Sequence, residues 1–429
     1  MTVLMLVVLI TITAALVAVW LTSTGDIVRA RVQARALSLP TTWQEMGIVE
    51  SAPNRIADWQ RLQSVVGGLK SYHSSGVPYD KRTWKGPGPG SPVTPELIAH
   101  HAGLDAVRLA ELIAIVDRLG EGPVVMSIAG SPDSRLARWD RSRFIDLGRI
   151  MVERIVIAPP ELLAAEVRRA LSAGSLLSED GLTASAMRSV VGTLIFHACA
   201  SRLEDLRRHA PGIEDDILRF ADGILRSGVT DSMGELVQMF TGLGTSGGYD
   251  GNIGYGIGIS RSVFGVRGPR WMWDILEKMV LRAGRARLME AQIGATVFMR
   301  EHQDLADIAD ECRRWDRMTS TSSPSWTSPT AASTHAAMRG RVIVAKGIMS
   351  TCLHGRLLAA EIAQRPWPVD GFDPARAPLK RIERGGALIG AYSTFLDGAD
   401  DKGSIKLDRC WALYERLGMT MAGDPPPVR

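Results

Sequence analysis

The sequence predicts a mainly α fold: an N-terminal transmembrane helix, a multi-helix array and a small C-terminal β-hairpin. Three observations carry this. The first 25 of the 429 residues hold no charged side chain, and Val3 to Leu21 is apolar apart from two threonines. Apolar residues then recur at helical spacing through the middle of the chain. Strand-like alternation is scarce before residue 379.

The leading run, residues 1–24, is long enough to cross the roughly 30 Å hydrocarbon core as one helix. A cleaved secretory signal has a basic start, a shorter apolar centre and a small-residue cleavage site. None of these is present, and Trp20 suits the lipid–water boundary. The expectation is a single-pass signal anchor, with residues 3–21 in contact with lipid. Arg29, Arg31 and Arg35 follow the run, and the positive-inside rule places that side in the cytoplasm.

Residues 25–92 read as a juxtamembrane region of helix and loop, closed by Gly86-Pro87-Gly88-Pro89-Gly90-Ser91-Pro92, which admits no regular structure. Residues 93–318 form the helical body. Apolar stripes recur at Val107, Leu109, Leu112, Ile113 and Val116. They recur again at Met187, Val190, Val191, Leu194, Ile195 and Ala198, then at Ile217, Phe220, Ala221, Ile224 and Leu225. A fourth stripe is Met272, Ile275, Leu276, Met279, Val280 and Ala283. Each must be buried against a neighbouring helix. A glycine-rich loop interrupts the body at 241–258.

Residues 319–337 are rich in Ser, Thr and Pro and read as a flexible linker, its composition clearest over Thr319 to Ser333. A helix to about Gln364 follows, stopped by Pro366-Trp367-Pro368. Leu379 to Glu383 and Ala387 to Thr394 read as two strands around Gly385-Gly386, a pair suited to a tight hairpin with positive φ at both central residues. Residues 338–423 thus form a helix-plus-hairpin module. The tail 424–429 is proline-rich and reads as disordered.

Hydrophobic residues make up 45% of the chain and charged residues 22%, a globular composition with ample core. The net charge of +4 comes from interspersed charges, with no basic block or basic–aromatic stripe, so no nucleic-acid partner is expected. Arginine outnumbers lysine, which reads as compositional bias. Cys199, Cys312, Cys352 and Cys410 lie far apart without a CxxC pair, which excludes a local zinc knuckle.

The candidate motifs are few. Gly242-Leu243-Gly244-Thr245-Ser246-Gly247 matches a dinucleotide fingerprint, while Gly244-Thr245-Ser246-Gly247-Gly248 matches a hydrolase elbow. Both need a strand before them, yet Glu235 to Phe240 looks helical. The loop, with Gly244, Ser246 and Gly248 at its centre, reads instead as a ligand or partner surface. Asp397, Asp400 and Asp401 can supply oxygen ligands to calcium, since hard cations take several carboxylates from one short loop; the alternative is a solvated turn. The histidines do not cluster in sequence. His100 and His101 point apart on one helix, His197 reads as a core residue, and His209 and His354 lie near arginine-rich helix faces. No HExxH or ExxH pair occurs, so zinc-peptidase and di-iron chemistry have no support. Trp271-Met272-Trp273 reads as core packing, with an interface anchor as the alternative.

One resemblance stands out. Trp367-Pro368-Val369-Asp370-Gly371-Phe372-Asp373-Pro374, then Pro378-Leu379-Lys380-Arg381, Ala391-Tyr392-Ser393 and Asp397-Gly398-Ala399-Asp400-Asp401 follow in this order. The segment resembles the C-terminal part of the major pseudopilins of type II secretion, whose acidic loop binds calcium. The same ending, and the stretch Ser189 to Cys199, look like large membrane-anchored bacterial proteins with long helical middles. The resemblance implies an anchored protein with its bulk outside the cytoplasm, opposite to the side the arginines favour. The prepilin cleavage Gly with its following Phe and Glu is absent, which argues against assembly into a fibre.

The expected function is therefore binding or scaffolding at the cell envelope, with a protein partner there and no assigned catalysis. The alternatives are a membrane-anchored hydrolase using Ser246 and an extracytoplasmic solute or glycan binder with the glycine-rich loop as lid.

Overall fold

The computed structural model describes residues 2–42, 44–47, 51–76, 81, 84, 86–89, 93–124, 141–176, 182–241, 289–290, 292–302, 304–321, 329–373, 375–394 and 409–414. Helices dominate, and a small antiparallel sheet lies near the C-terminus. The chain divides into two compact units. The first holds Met1–Ile48, Val229–His302 and Arg314–Val344; the second holds Val49–Gly228, Gln303–Arg313 and Ala345–Arg429.

The N-terminal run is helical, but it does not stop at Leu21. Helix α1 (Thr2–Ala36) continues through Asp26, Arg29, Arg31 and Arg35. Among the described residues no helix is long and apolar enough to cross a membrane, so the expected transmembrane helix has no support here. The C-terminal half of α1 packs on protein instead. Ala30, Ala34 and Leu39 are buried with Leu236, Phe240, Met289 and Ile293. Small alanines let the facing helix come close, and Arg31 lies 5.5 Å over the Phe240 ring while donating to its carbonyl oxygen at 2.8 Å.

The second unit is built on α2 (Pro53–Gly67), α3 (Pro95–Ala102), α4 (Ala106–Leu119), α5 (Arg141–Ile157), α6 (Pro160–Ser175), α7 (Leu182–Ser201) and α8 (Leu203–His209), with the first part of α9 (Ile213–Thr241). Helix α5 packs against α6 and α7, and α2 against α4. Most positions of the first three stripes read from sequence pack, but Val190 of the second is 43% exposed. Leu112 and Val116 of α4, Val191, Ile195 and Ala198 of α7, and Ile217 and Ala221 of α9 share one core. Val107, in the first turn of α4, is exposed. The fourth stripe, Met272 to Ala283, lies outside the described residues.

Helix ends follow local chemistry. Asp105 caps α4 by accepting from the N–H groups of Val107 and Arg108, both at 3.1 Å. Arg202 closes the other end of α5, donating to the carbonyls of Ile155, Val156 and Ala158. A cation there also opposes the negative end of the helix dipole.

Helices α10 (Leu305–Thr321) and α11 (Pro329–Ile362) reach into both ends of the expected Ser/Thr/Pro linker. Pro329 opens α11 at its first position, where a missing N–H costs nothing, and alanines follow. Beyond α11 come β1 (Lys380–Arg384), β2 (Ala387–Ser393) and β3 (Arg409–Ala412), paired antiparallel in that order. Gly385 and Gly386 have φ of 59° and 79°, the left-handed pair the sequence predicts for this hairpin. Strand β3 was not foreseen, because four residues are too few to show alternation.

Candidate ligand-binding cleft

Both motif candidates fall outside the described residues: Gly244, Ser246 and Gly248 of the glycine-rich loop, and Asp397, Asp400 and Asp401 of the acidic loop. Helix α9 runs as far as Thr241, and this bears on the hydrolase reading, which needs a strand leading to Ser246. Among the described residues no group of three or more His, Cys, Asp or Glu could hold a metal ion. None of the four cysteines is in a disulfide among the described residues, and burial pushes the Cys199 thiol up to about 12.

The structure builds a different site, where α8, the end of α11 and the start of β1 converge. It is an open cleft of about 410 Å³. Arg207, Glu361, Gln364, Arg365, Trp367 and Arg381 supply its polar lining, and Pro366, Pro378 and Leu379 its apolar part.

The end of α11 forms one wall. Helix propagation stops after Ile362, and Gln364 adopts φ 54°. The Arg365 N–H then reaches back to the Ala360 carbonyl at 2.8 Å, and the Gln364 N–H to that of Glu361 at 3.4 Å. This is the Schellman closure, with glutamine in the left-handed place that glycine usually fills. It turns the chain sharply and fixes Arg365 at the mouth. Pro366 and Pro368 flank Trp367 and prevent a return to helix.

The segment after Trp367 folds back through a buried carboxylate. Asp370 accepts from the Phe372 N–H at 2.9 Å, the Ser393 hydroxyl at 2.8 Å and the Thr394 N–H at 3.2 Å. The Leu379 N–H donates to the Pro368 carbonyl at 3.1 Å, which brings Pro378 and Leu379 beside Trp367. Burial pushes the Asp370 carboxyl above the usual carboxylate range, outweighing the three donors.

The floor is a saturated ion-pair cluster. Glu361 Oε2 accepts from Arg207 Nη2 at 2.6 Å and from the Tyr414 hydroxyl, and its Oε1 accepts from Trp367 Nε1. Arg207 also donates from Nε to the Glu361 carbonyl at 3.0 Å and from Nη1 to Glu204 at 2.7 Å. Burial opposes the Arg207 charge, but Tyr414, Glu361 and Glu204 together raise its pKa. Burial and the bond to Glu361 push the Tyr414 hydroxyl up.

Arg365 and Arg381 are different. Both are exposed at the rim, and neither has a carboxylate partner among the described residues. Arg381 lies 5.4 Å over the Trp367 ring, which orients its guanidinium without neutralising it. Arg207 is thus paired with both Glu361 and Glu204, and the oxygens of Glu361 are already engaged, so neither carboxylate is left for Arg365 and Arg381.

A second polar group lies elsewhere in the same unit. His354 of α11 is fully buried, and neither ring nitrogen has a hydrogen-bond partner among the described residues. Its ring stands 4.9 Å from that of His197, which is half-buried, and 6.2 Å from that of Trp411 on β3. Burial, then Arg409, holds His197 down to about 4; burial, His197 and Arg409 hold His354 well below its ordinary value. Both shifts favour the neutral form of the pair. His197, read from the sequence as a core residue, is half-buried, and its ring packs against another histidine.

Sequence reasoning missed the cleft. Arg207 and Glu361 are 154 residues apart, and Trp367 was read only as part of a helix stop. The one available signal was Pro366-Trp367-Pro368 between two arginines at positions 365 and 381. No known protein family, characterised protein or solved structure matches this chain.

Proposed function

We propose that this is a membrane-tethered binding protein whose second unit takes up a small anionic ligand, carrying a carboxylate or phosphate, in the Arg365–Trp367–Arg381 cleft. The observation that carries the reading is the pair of guanidinium groups beside and over Trp367, those of Arg365 and Arg381, with no carboxylate partner among the described residues. Guanidinium forks match the two oxygens of a carboxylate or phosphate, and an anion lying between them gains two charge-assisted contacts. The cleft volume is of the order that small ligands require. Binding is favoured over catalysis because the lining offers no free nucleophile or base: Glu361 is saturated and Tyr414 is tied to it. Tethering through residues 3–21, and the likeness of the C-terminal segment to pseudopilins, rest on the sequence. They agree with a role at the envelope.

Isothermal titration with inorganic phosphate, citrate and succinate tests the reading. Binding by the wild-type chain, weakened at least about tenfold in Arg365→Gln and in Arg381→Gln, is expected from the loss of one charge-assisted contact. Millimolar ligand with no heat, or affinities unmoved by both substitutions, would overturn it.

A further inference from the structure

Residues 409–414 join the histidine pair to the cleft. At one end Arg409 Nε donates to the Ser350 hydroxyl of α11 at 2.6 Å. Ser350 lies one turn before His354 on that helix and shares its face. Trp411, buried, sets its ring 6.2 Å from that of His354. At the other end the Tyr414 hydroxyl donates to Glu361 in the cleft floor and accepts from Arg207 at 2.7 Å. The segment is held lightly. Among the described residues β3 pairs with β2 alone, over the four residues from Arg409 to Ala412. Helices α7 and α11 are held firmly. The Thr193 and Thr351 hydroxyls meet at 2.9 Å, and a Cβ placed on Gly355 would lie 2.6 Å from Ala221 and 2.7 Å from Phe196.

We propose that the His197–His354 pair is an acid-operated latch on the anion cleft: when the pair takes up protons, residues 409–414 leave α11 and the ligand is released. The inference rests on the anion-binding reading above. A neutral imidazole has one donor and one acceptor nitrogen, and a protonated one has two donors. His354 has nothing to receive them, being fully buried with neither nitrogen partnered among the described residues. The surrounding charges oppose a proton as well. Helix α7 contributes His197, 4.9 Å away ring to ring, and β3 contributes Arg409. Helix α9 turns Asp222 towards α11, but Arg356 takes that carboxylate at 3.0 Å. Helix α8 brings Arg207, which is paired with Glu361. Asp370 reaches Ser393, the register partner of Arg409, and its oxygens are engaged by three donors. Two imidazolium groups beside one guanidinium thus have no counter-ion among the described residues, and burial strengthens their repulsion. His197, only half-buried, admits the proton. Relief comes at the least secured wall, because moving 409–414 opens His354 to water. Tyr414 then leaves Glu361, whose freed oxygen pairs with the guanidinium groups at the rim in place of the anion.

The test compares the full wild-type chain with His354→Leu at pH 7 and pH 5, with inorganic phosphate as the probe. The protonation of phosphate itself is common to both chains and cancels in the comparison. At pH 7 the two should bind phosphate within about twofold of each other. On going to pH 5 the wild type should lose at least about tenfold more affinity than the variant. Amide exchange, corrected for the intrinsic effect of pH, should rise at least about tenfold at residues 409–414 in the wild type and not in His354→Leu. The helical circular-dichroism signal should persist throughout. His197→Phe keeps a ring at the half-buried position and should reduce both responses, so the test does not depend on His354→Leu folding. Equal losses of affinity in the wild type and the variants overturn the proposal. So does unchanged exchange at 409–414, or a loss of helical signal over the same range, which would be unfolding of the whole unit. A wild-type chain that ignores phosphate at pH 7 overturns the binding reading and the release step with it, whatever the exchange shows.

Discussion

Asp370 and His354 are both buried in the second unit, and the fold treats them in opposite ways. Asp370 has donors on both oxygens and ties its own turn to the end of β2, at Ser393 and Thr394. His354 sits among Phe196, His197 and Trp411 with both nitrogens unpartnered among the described residues. A buried acceptor with three donors is a staple, and losing it strands every donor. A buried imidazole without partners costs stability as it stands, and costs more once protonated. The carboxylate region therefore depends on a side chain being present. The histidine region depends on a proton being absent.

The largest expected effect lies on the carboxylate side. Asp370→Ala should destabilise the second unit by about 4 kcal/mol, because the N–H groups of Phe372 and Thr394 and the Ser393 hydroxyl lose their acceptor in a dry setting. Urea unfolding measures this directly. The segment after Trp367 should loosen with it, so ligand binding at the cleft should fall in parallel. A loss below 1 kcal/mol would mean that water replaces the carboxylate, and the contrast with His354 would then collapse.

Next comes pH. The histidines have folded pKa values below their unfolded value of 6.5, so the unfolded chain binds their protons first. Stability is then fully present above pH 6.5 and falls as pH drops towards 4. The lowering at His197 alone makes the loss between pH 7 and pH 5 on the order of 1–2 kcal/mol, and His354 adds to it in the same direction. Asp370 works the other way: its raised folded pKa adds stability as pH falls, so it cannot be the source of this loss. His354→Leu should flatten the pH profile between 7 and 5 and leave stability at pH 7 unchanged or higher, since two orphaned nitrogens are removed. An unchanged slope in that variant would assign the acid sensitivity to other groups.

These two regions also differ in how far the sequence reveals them. Helices α4, α7 and α9 announce themselves because burial on one face repeats every 3.6 residues, and the hairpin does because two glycines in a row meet the φ demands of its turn. Such signals are local. The cleft is not: Arg207 comes from α8, Arg365 from the end of α11 and Arg381 from β1, and the one local mark is Pro366-Trp367-Pro368 beside Arg365. The His197–His354 pair likewise joins α7 to α11. Short linear motifs pointed to the Gly244–Gly248 loop and to Asp397, Asp400 and Asp401, whereas the site that the described residues build is made by long-range closure. The N-terminal run misled in a further way. Its lack of charge suggested a helix ending near Leu21, but helix propagation needs no apolar side chains, and α1 runs on for another 15 residues to Ala36.

The smallest expected effect concerns Gln364, on the carboxylate side of the comparison. Its left-handed backbone, φ 54°, costs an L-residue about 1 kcal/mol relative to glycine. The hydrogen bonds of the helix closure come from main-chain atoms of Gln364 and Arg365 to Glu361 and Ala360, and a glycine keeps both. Gln364→Gly should therefore stabilise the second unit by somewhat less than about 1 kcal/mol, since glycine also gains unfolded-state entropy. It should leave Arg365 in place, so phosphate affinity should stay within about twofold of wild type. A stability gain with intact affinity means that the strain at 364 serves only to turn the chain. A gain accompanied by lost affinity would show that the glutamine amide contacts the anion, adding a neutral donor to the two guanidinium groups at the rim.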